Sequence, residues 1–325
     1  MSSFSVYAGK KVLVTGGAGF IGSALTISLV NENANVVVLD NFVSGKKTFL
    51  EPIIKDVRIV EKSILSNDLA DLFKKEEFDF VFNLAALPYI PKCYSMPKEF
   101  FEVNTLGALN VLLACKEAQV KRVLHYSTSE VYGGAQRIPM DEHHPLNPAS
   151  TYAASKVGAD RLCFTLYYEQ EIPVIILRQF NVFGPRETHP YIIPEIISQL
   201  SKSSTLRLGN INTRRDLTYV EDAVRASMLL MLEKKAEGQV FNVGTGKDYS
   251  VLEMAETIAD LMSIKNLKIV LDEKRLRPLD VERLQANYFK LNQLTGWYPK
   301  TSFEEGLRKT IEWFNENGKK WPWEH

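Results

Sequence analysis

Short apolar runs rich in β-branched residues recur along the first part of the chain. They fall at Lys11–Thr15, Asn35–Leu39, Val57–Val60, Phe80–Leu84, Arg122–Ser127 and Pro173–Leu177. Between them lie stretches with helical spacing, at Phe20–Val30, Leu65–Lys75, Phe100–Glu117 and Tyr152–Gln170. Runs of Val, Ile and Leu that alternate with helices read as βαβ units, with strands covered on both faces. The pattern predicts a doubly wound α/β fold on a parallel sheet of six or seven strands.

After about Phe180 the pattern loosens. Pro185, Pro190 and Pro194 are expected to break the chain, and the polar stretch Gly209–Asp216 reads as loop. A last strand at Val240–Val243 and helices at Val251–Met262 and Phe303–Asn315 complete the chain. Residues 1–178 with about 216–245 are expected to form one unit, and about 179–215 with 246–325 a smaller C-terminal lobe. Trp321, Pro322 and Trp323 are expected to tuck against that lobe.

Composition narrows the function classes. Of 325 residues 45% are hydrophobic and 24% charged, with 39 Lys and Arg against 39 Asp and Glu. That balance is ordinary for a globular protein and leaves no electrostatic footprint for nucleic acid or an acidic membrane. Cys93, Cys115 and Cys163 are far apart and odd in number, so neither a disulfide framework nor a zinc site is indicated. Adjacent His143 and His144, with Glu142 and distant His189, lack a third ligand at ligand spacing, and no metal is expected. No apolar run reaches the roughly 18 residues of a membrane span, and the N-terminus lacks a signal-peptide layout. The expected location is the cytoplasm.

Chemistry enters with a glycine cluster. Thr15-Gly16-Gly17-Ala18-Gly19-Phe20-Ile21-Gly22 follows a predicted strand and opens a predicted helix. Such a turn lets backbone approach a pyrophosphate and aims a helix N-terminus at the anion. Asp40 ends the second strand, 18 residues past Gly22. A carboxylate there accepts from a ribose diol and repels a 2′-phosphate, which favours NAD over NADP. Tyr152 and Lys156 stand at i and i+4 of a predicted helix and share a face. A tyrosine acting as base near neutral pH must fall from about 10 to near 7, a difference of about 4 kcal/mol. A nearby ammonium is one means to that, and Thr128 closes an adjacent strand.

Taken with further ordered motifs, the chain resembles the extended short-chain dehydrogenase/reductases of the nucleotide-sugar epimerase/dehydratase family. The motifs are TGGAGFIG (15–22), Asp40-Asn41, Asn83-Leu84-Ala85-Ala86, Asn104, STSEVYG (127–133), YAASK (152–156), FNVFGPR (180–186), RDLTYVED (215–222) and Arg277-Pro278. The resemblance implies a Rossmann domain, a smaller substrate-binding lobe and a bound NAD. Cofactor contacts are implied for Gly16, Gly19, Phe20, Ile21, Gly22, Asp40, Asn41, Leu84, Ala85, Ala86, Asn104, Ser127, Tyr152, Lys156 and Phe180. Family members often carry an Asp after the third strand to contact adenine; here Ser63 and Ile64 stand in that stretch. Asn83 replaces a common His. Tyr152 is implied to take the C4 hydroxyl proton while Thr128 holds that hydroxyl, with Asn181, Arg215 and Arg277 on the diphosphate of a nucleotide sugar.

Members share a C4 oxidation and differ in the fate of the 4-keto sugar: epimerisation, water loss across C5–C6, or decarboxylation. Thr128-Ser129-Glu130 resembles GDP-mannose-type 4,6-dehydratases and glucuronate decarboxylases. Glu130 suits the base for C5, whereas Ser129 stands where dTDP-glucose dehydratases place an acidic Asp. A 4,6-dehydratase is therefore expected, ahead of a 4-epimerase, a decarboxylase and a non-catalytic NAD-binding regulator. The resemblance further implies a homodimer through a four-helix bundle, because Phe100–Glu117 and Tyr152–Gln170 carry surplus apolar residues, including Leu106, Leu109, Leu112, Leu113, Leu162, Leu166 and Tyr167.

Overall fold

A computed structural model describes residues 4–324. The outermost ends of the two expected units, residues 1–3 and 325, lie outside the described residues, as does the start of the N-terminal stretch weighed as a signal peptide. Six strands alternate with helices in the first half: β1 (Lys11–Thr15), β2 (Asn35–Asp40), β3 (Val57–Glu61), β4 (Phe80–Asn83), β5 (Arg122–Thr128) and β6 (Val174–Gln179). The helices are α1 (Phe20–Asn31), α2 (Leu69–Glu76), α3 (Ile90–Cys93), α4 (Pro97–Phe101), α5 (Gly107–Glu117) and α6 (Thr151–Gln170). Then come β7 (Asn181–Phe183), α7 (Ile192–Leu200), β8 (Thr205–Leu208), β9 (Arg214–Tyr219), α8 (Val220–Leu232) and β10 (Val240–Val243).

β10 returns to the first six strands to give a parallel sheet of seven, in the order β10-β6-β5-β4-β1-β2-β3. Successive side chains of each strand enter opposite layers. Val12, Val14, Val36 and Val38 pack with Leu25 and Leu29 of α1 and Leu230 of α8. Leu13, Val37, Val81 and Val123 pack with Val111 and Leu112 of α5 and Cys163 and Leu166 of α6. Both faces are sealed, which is why these strands read as continuous apolar runs.

Four expectations need correction. The helix expected over Phe100–Glu117 is interrupted by a π turn at Glu102–Leu106, with α4 before it and α5 after. The widened turn brings Asn104 inward, where its side chain accepts from the Leu87 N–H at 2.7 Å and donates to the Leu87 carbonyl at 3.1 Å. The polar loop expected over Gly209–Asp216 instead runs into β9, the centre of a small sheet in which β9 pairs with β7, with β11 (Asp248–Ser250) and with β13 (Arg283–Leu284). Its buried Asp216 is fully satisfied: the carboxylate accepts from Thr245 N and Oγ1 (each 2.7 Å), Gly246 N (2.8 Å) and Ala286 N (3.0 Å). Val240–Val243 is not the last strand either, since β12 (Lys268–Leu271) and the two just named follow it. Pro194 does not break the chain, because it sits in the first turn of α7, where a missing N–H leaves no intrahelical bond unmade. The C-terminal tryptophans pack as expected, Trp321 stacking on Phe314 and Trp323.

Helix α6 is fastened to the sheet by a buried ion pair. Asp160 Oδ1 and Oδ2 take a two-pronged bond from Arg178 of β6 at 2.9 Å each, and Oδ2 also accepts from Ser127 Oγ of β5 at 2.7 Å. Burial pushes the Asp160 carboxyl up, but those bonds outweigh it and hold the group down to about 2. A carboxyl lowered on folding stabilises the fold above its unfolded value near 4, and that contribution disappears as pH falls toward 2. Asp160→Asn should cost about 3 to 5 kcal/mol, because it strands a buried guanidinium. Chemical denaturation at pH 7 checks the size. The gap from wild type should shrink between pH 4 and pH 2; a gap independent of pH would contradict this account.

Candidate active site

The carboxyl ends of the strands open into a cavity of about 510 Å³, a size suited to a small-molecule ligand. Its floor is the turn between β1 and α1. Gly16 adopts φ +68°, and a Cβ there would approach Ala85 backbone at 3.0 Å; a Cβ on Gly22 would meet the Gly16 carbonyl at 2.0 Å. Turn and helix therefore pack as closely as glycine permits. Gly16, Gly19, Phe20, Ile21 and Gly22 all line the cavity.

Asp40 ends β2 on one flank. Its Oδ2 accepts from Ala18 N at 3.0 Å and its Oδ1 from Phe42 N at 2.8 Å. Burial raises the carboxyl above its usual range while those backbone bonds oppose the rise. Each oxygen keeps a lone pair for another donor. Asn41, Ser63 and Ile64 line the same flank, and Leu84, Ala85 and Ala86 follow β4 across from it. The Thr15 hydroxyl shapes that second segment, accepting from Leu84 N at 3.2 Å and Ala85 N at 3.1 Å and donating to Asn83 Oδ1 at 2.7 Å. Asn83 thus supports the wall from beneath.

At the far end of the cavity stand Ser127, Thr128, Ser129 and Glu130, with Tyr152, Lys156 and Phe180. Extended backbone at Thr128 caps a short 3-10 turn, its hydroxyl accepting from Glu130 N at 3.2 Å. Burial pushes the Tyr152 hydroxyl well up; the hydrogen bond to Thr128 opposes this, and the nearby Glu130 carboxylate adds to it. Tyr152 therefore keeps its proton in the protein alone. Lys156 Nζ donates to the Tyr126 carbonyl at 2.5 Å, and burial lowers its ammonium to about 8. Asn181, Arg215 and Arg277 line the wall that faces this cluster from the second half of the chain. Arg215 is buried beside Glu130, with its Nη2 3.6 Å from Asp280.

Of the catalytic, cofactor and substrate contacts expected from the sequence, only Asn104 stands back from the cavity. It holds Leu87, which does line it, and donates to Ser155 Oγ at 3.0 Å. Sequence reasoning missed Gln179, Glu187, Thr188 and Tyr191, which also line the cavity. They lie on the run that leaves β6 and reaches α7, where no periodic pattern marks them. Among the described residues no group of three His, Cys, Asp or Glu side chains is placed to hold a metal, and no helix is long and apolar enough to cross a membrane.

A family profile described as GDP-mannose 4,6 dehydratase matches residues 13–310. The chain belongs to that family. It is an extended short-chain dehydrogenase/reductase, and relatives within the wider group span several reactions. A human dTDP-D-glucose 4,6-dehydratase is 34% identical over 327 residues, covering 96% of this chain and 92% of that one. A UDP-N-acetyl-α-D-glucosaminuronate decarboxylase of Bacillus cytotoxicus is also 34% identical, covering 94% and 98%. Among solved structures, an epimerase of Methanothermobacter thermautotrophicus superposes with a TM-score of 0.91 at 33% identity, covering 98% of this chain and 96% of that one. A dTDP-glucose 4,6-dehydratase of Streptomyces venezuelae, solved with NAD, reaches 0.88 at 29% identity, covering 96% and 98%.

The family's enzymes are NAD-dependent, and the residues here fit that cofactor: a glycine cradle that no Cβ could enter, and a buried carboxylate with free lone pairs at the end of β2. Asp40 should discriminate against a 2′-phosphate. Asp40→Ala should lower the preference for NAD over NADP roughly tenfold, the scale of lost charged hydrogen bonds. Titration of both cofactors checks this, and equal affinity in the wild type would refute it.

Proposed function

We propose that the protein is a NAD-dependent nucleotide-sugar 4,6-dehydratase. The observation that carries this reading is the Glu130 carboxylate, which lines the cavity beside both Tyr152 and Arg215. NAD, when bound, supplies the hydride acceptor and a positive ring in the cavity. Thr128 Oγ1 holds the sugar C4 hydroxyl, and Tyr152 takes its proton. Lys156 would hold the nicotinamide ribose and, as an ammonium, would ease ionisation of Tyr152. A C4 ketone acidifies the C5 proton, and Glu130 is the cavity carboxylate on the turn after Thr128 that would remove it. The C6 hydroxyl, protonated by Glu130 or a water, leaves as water; the hydride taken from C4 is then returned to C6 and a solvent proton to C5. Arg215 and Arg277 offer planar donor forks to the diphosphate, with Asn181 beside them. The wall bearing these three is the proposed substrate lobe, residues 179–215 with 246–325, and the remainder is the proposed NAD domain.

A 4-epimerase is the second reading. Ser129 favours it, since a hydroxyl stands next to Thr128 where an acid would help water depart. We also propose a homodimer. Phe101, Leu106, Phe164 and Tyr168 are exposed on α4, the π turn and α6, although Leu112 and Leu166, counted in the sequence as surplus, are buried within the chain. A monomer by light scattering would exclude this assembly.

Incubation with UDP-, GDP- and dTDP-hexoses, followed by mass spectrometry, tests the reaction. The dehydratase reading expects loss of one water from one of them. Glu130→Gln should still reduce the cofactor while water loss falls on the order of 100-fold. Inversion at C4 with unchanged mass, insensitive to Glu130→Gln, would select the epimerase.

A further inference from the structure

Glu187 is the most isolated buried acid of the cavity wall. It is 2% exposed, and its Oε2 is sealed without a hydrogen-bond partner. Among the described residues no ion pair reaches it. No ion pair joins it to the neighbouring Arg186, whose own buried Nε also lacks a hydrogen-bond partner. Other polar groups close by are already engaged. The Tyr191 hydroxyl donates to the Pro88 carbonyl at 3.2 Å, and the His189 ring lies between Thr188 Oγ1 at 3.0 Å and Ser44 Oγ at 3.4 Å.

A buried carboxylate without a cation is costly, so the group keeps its proton, and burial drives it well above the carboxylate range. A protonated carboxyl is a neutral donor and acceptor in one group. Glu187 and Tyr191 line the same cavity as Tyr152. Gln179 lines the same cavity with a second unsatisfied acceptor, its Oε1, while its Nε2 is spent on the Val243 carbonyl at 3.1 Å. Buried groups left without partners are the exception in folded proteins and call for an explanation, and a ligand is one. Such groups suit hydroxyl or amide partners.

We propose that Glu187 is a specificity-determining residue of the sugar site, its carboxyl O–H and carbonyl pairing with a hydroxyl or acylamino group of a neutral hexose. The proposal rests on the nucleotide-sugar reading above and deepens it.

The test compares wild type, Glu187→Gln and Glu187→Met by calorimetry in the NAD-loaded protein. The ligands are the nucleotide hexose that binds wild type best and the nucleoside diphosphate without its sugar. Gln keeps a neutral donor and acceptor and should hold affinity within a few-fold. Met keeps the volume alone and should weaken the nucleotide hexose on the order of tenfold, the scale of a buried hydrogen bond left unmade. The nucleoside diphosphate should bind all three proteins alike, which also shows that the variants fold. Equal hexose affinity in wild type and Met would overturn the proposal. So would an equal loss for both ligands, which marks a structural role, or lost turnover with intact binding in Gln, which marks a proton donor. If wild type binds no nucleotide hexose, the functional reading itself fails, and that result appears before any variant is compared.

Discussion

The ion pair between Asp160 and Arg178 sets the relation between α6 and the sheet, and the reacting cluster depends on that relation. Tyr152 and Lys156 ride on α6, Thr128 and Ser127 on β5, and Phe180 on the run out of β6. Asp160 bonds to β5 through Ser127 and to β6 through Arg178, two turns of helix after Tyr152 and one after Lys156. Apolar packing of Cys163 and Leu166 holds the helix against the sheet, but such packing is non-directional. A bidentate buried pair fixes sliding and rotation as well, which packing alone leaves loose. The same arginine carries the lock further, donating to the Tyr132 hydroxyl at 3.0 Å, and Tyr132 in turn donates to Asn242 of β10 at 2.7 Å. The turn that carries Glu130 is thereby tied to the frame that holds Tyr152.

The first half of the fold was legible because its causes are local. Strands buried on both faces are apolar throughout, and a glycine turn between a strand and a helix has few other uses. Asp40, Tyr152 and Lys156 were legible for the same reason, since strand ends and i, i+4 spacing fix where such residues point. The rest depends on tertiary partners. β9 hides behind Arg214, Arg215, Asp216 and Thr218, a polar run that becomes a central strand only because Thr245, Gly246 and Ala286 satisfy Asp216 from outside it. The interruption before α5 is equally silent, as apolar spacing continues through it and only Leu87 explains why Asn104 turns inward. Glu187 and Gln179 carry no local signal; their isolation is visible only once the wall around them is built.

Two kinds of chemistry meet in the one cavity. In the proposed mechanism Thr128, Tyr152 and Lys156 serve a redox step that dehydratases, epimerases and decarboxylases can share, in keeping with relatives of different reactions aligning over nearly the whole chain. On the same proposal, what decides the fate of the oxidised sugar lies on the turn after Thr128, at Ser129 and Glu130. The central claim is that Glu130 gives this protein a second proton-transfer site, at C5, distinct from the one at C4. Running the reaction in deuterium oxide and locating the label in the product by NMR tests that claim most directly. The account predicts one solvent deuteron at C5 of a 4-keto-6-deoxy product. A product that forms at full rate with ordinary hydrogen retained at C5 would contradict it.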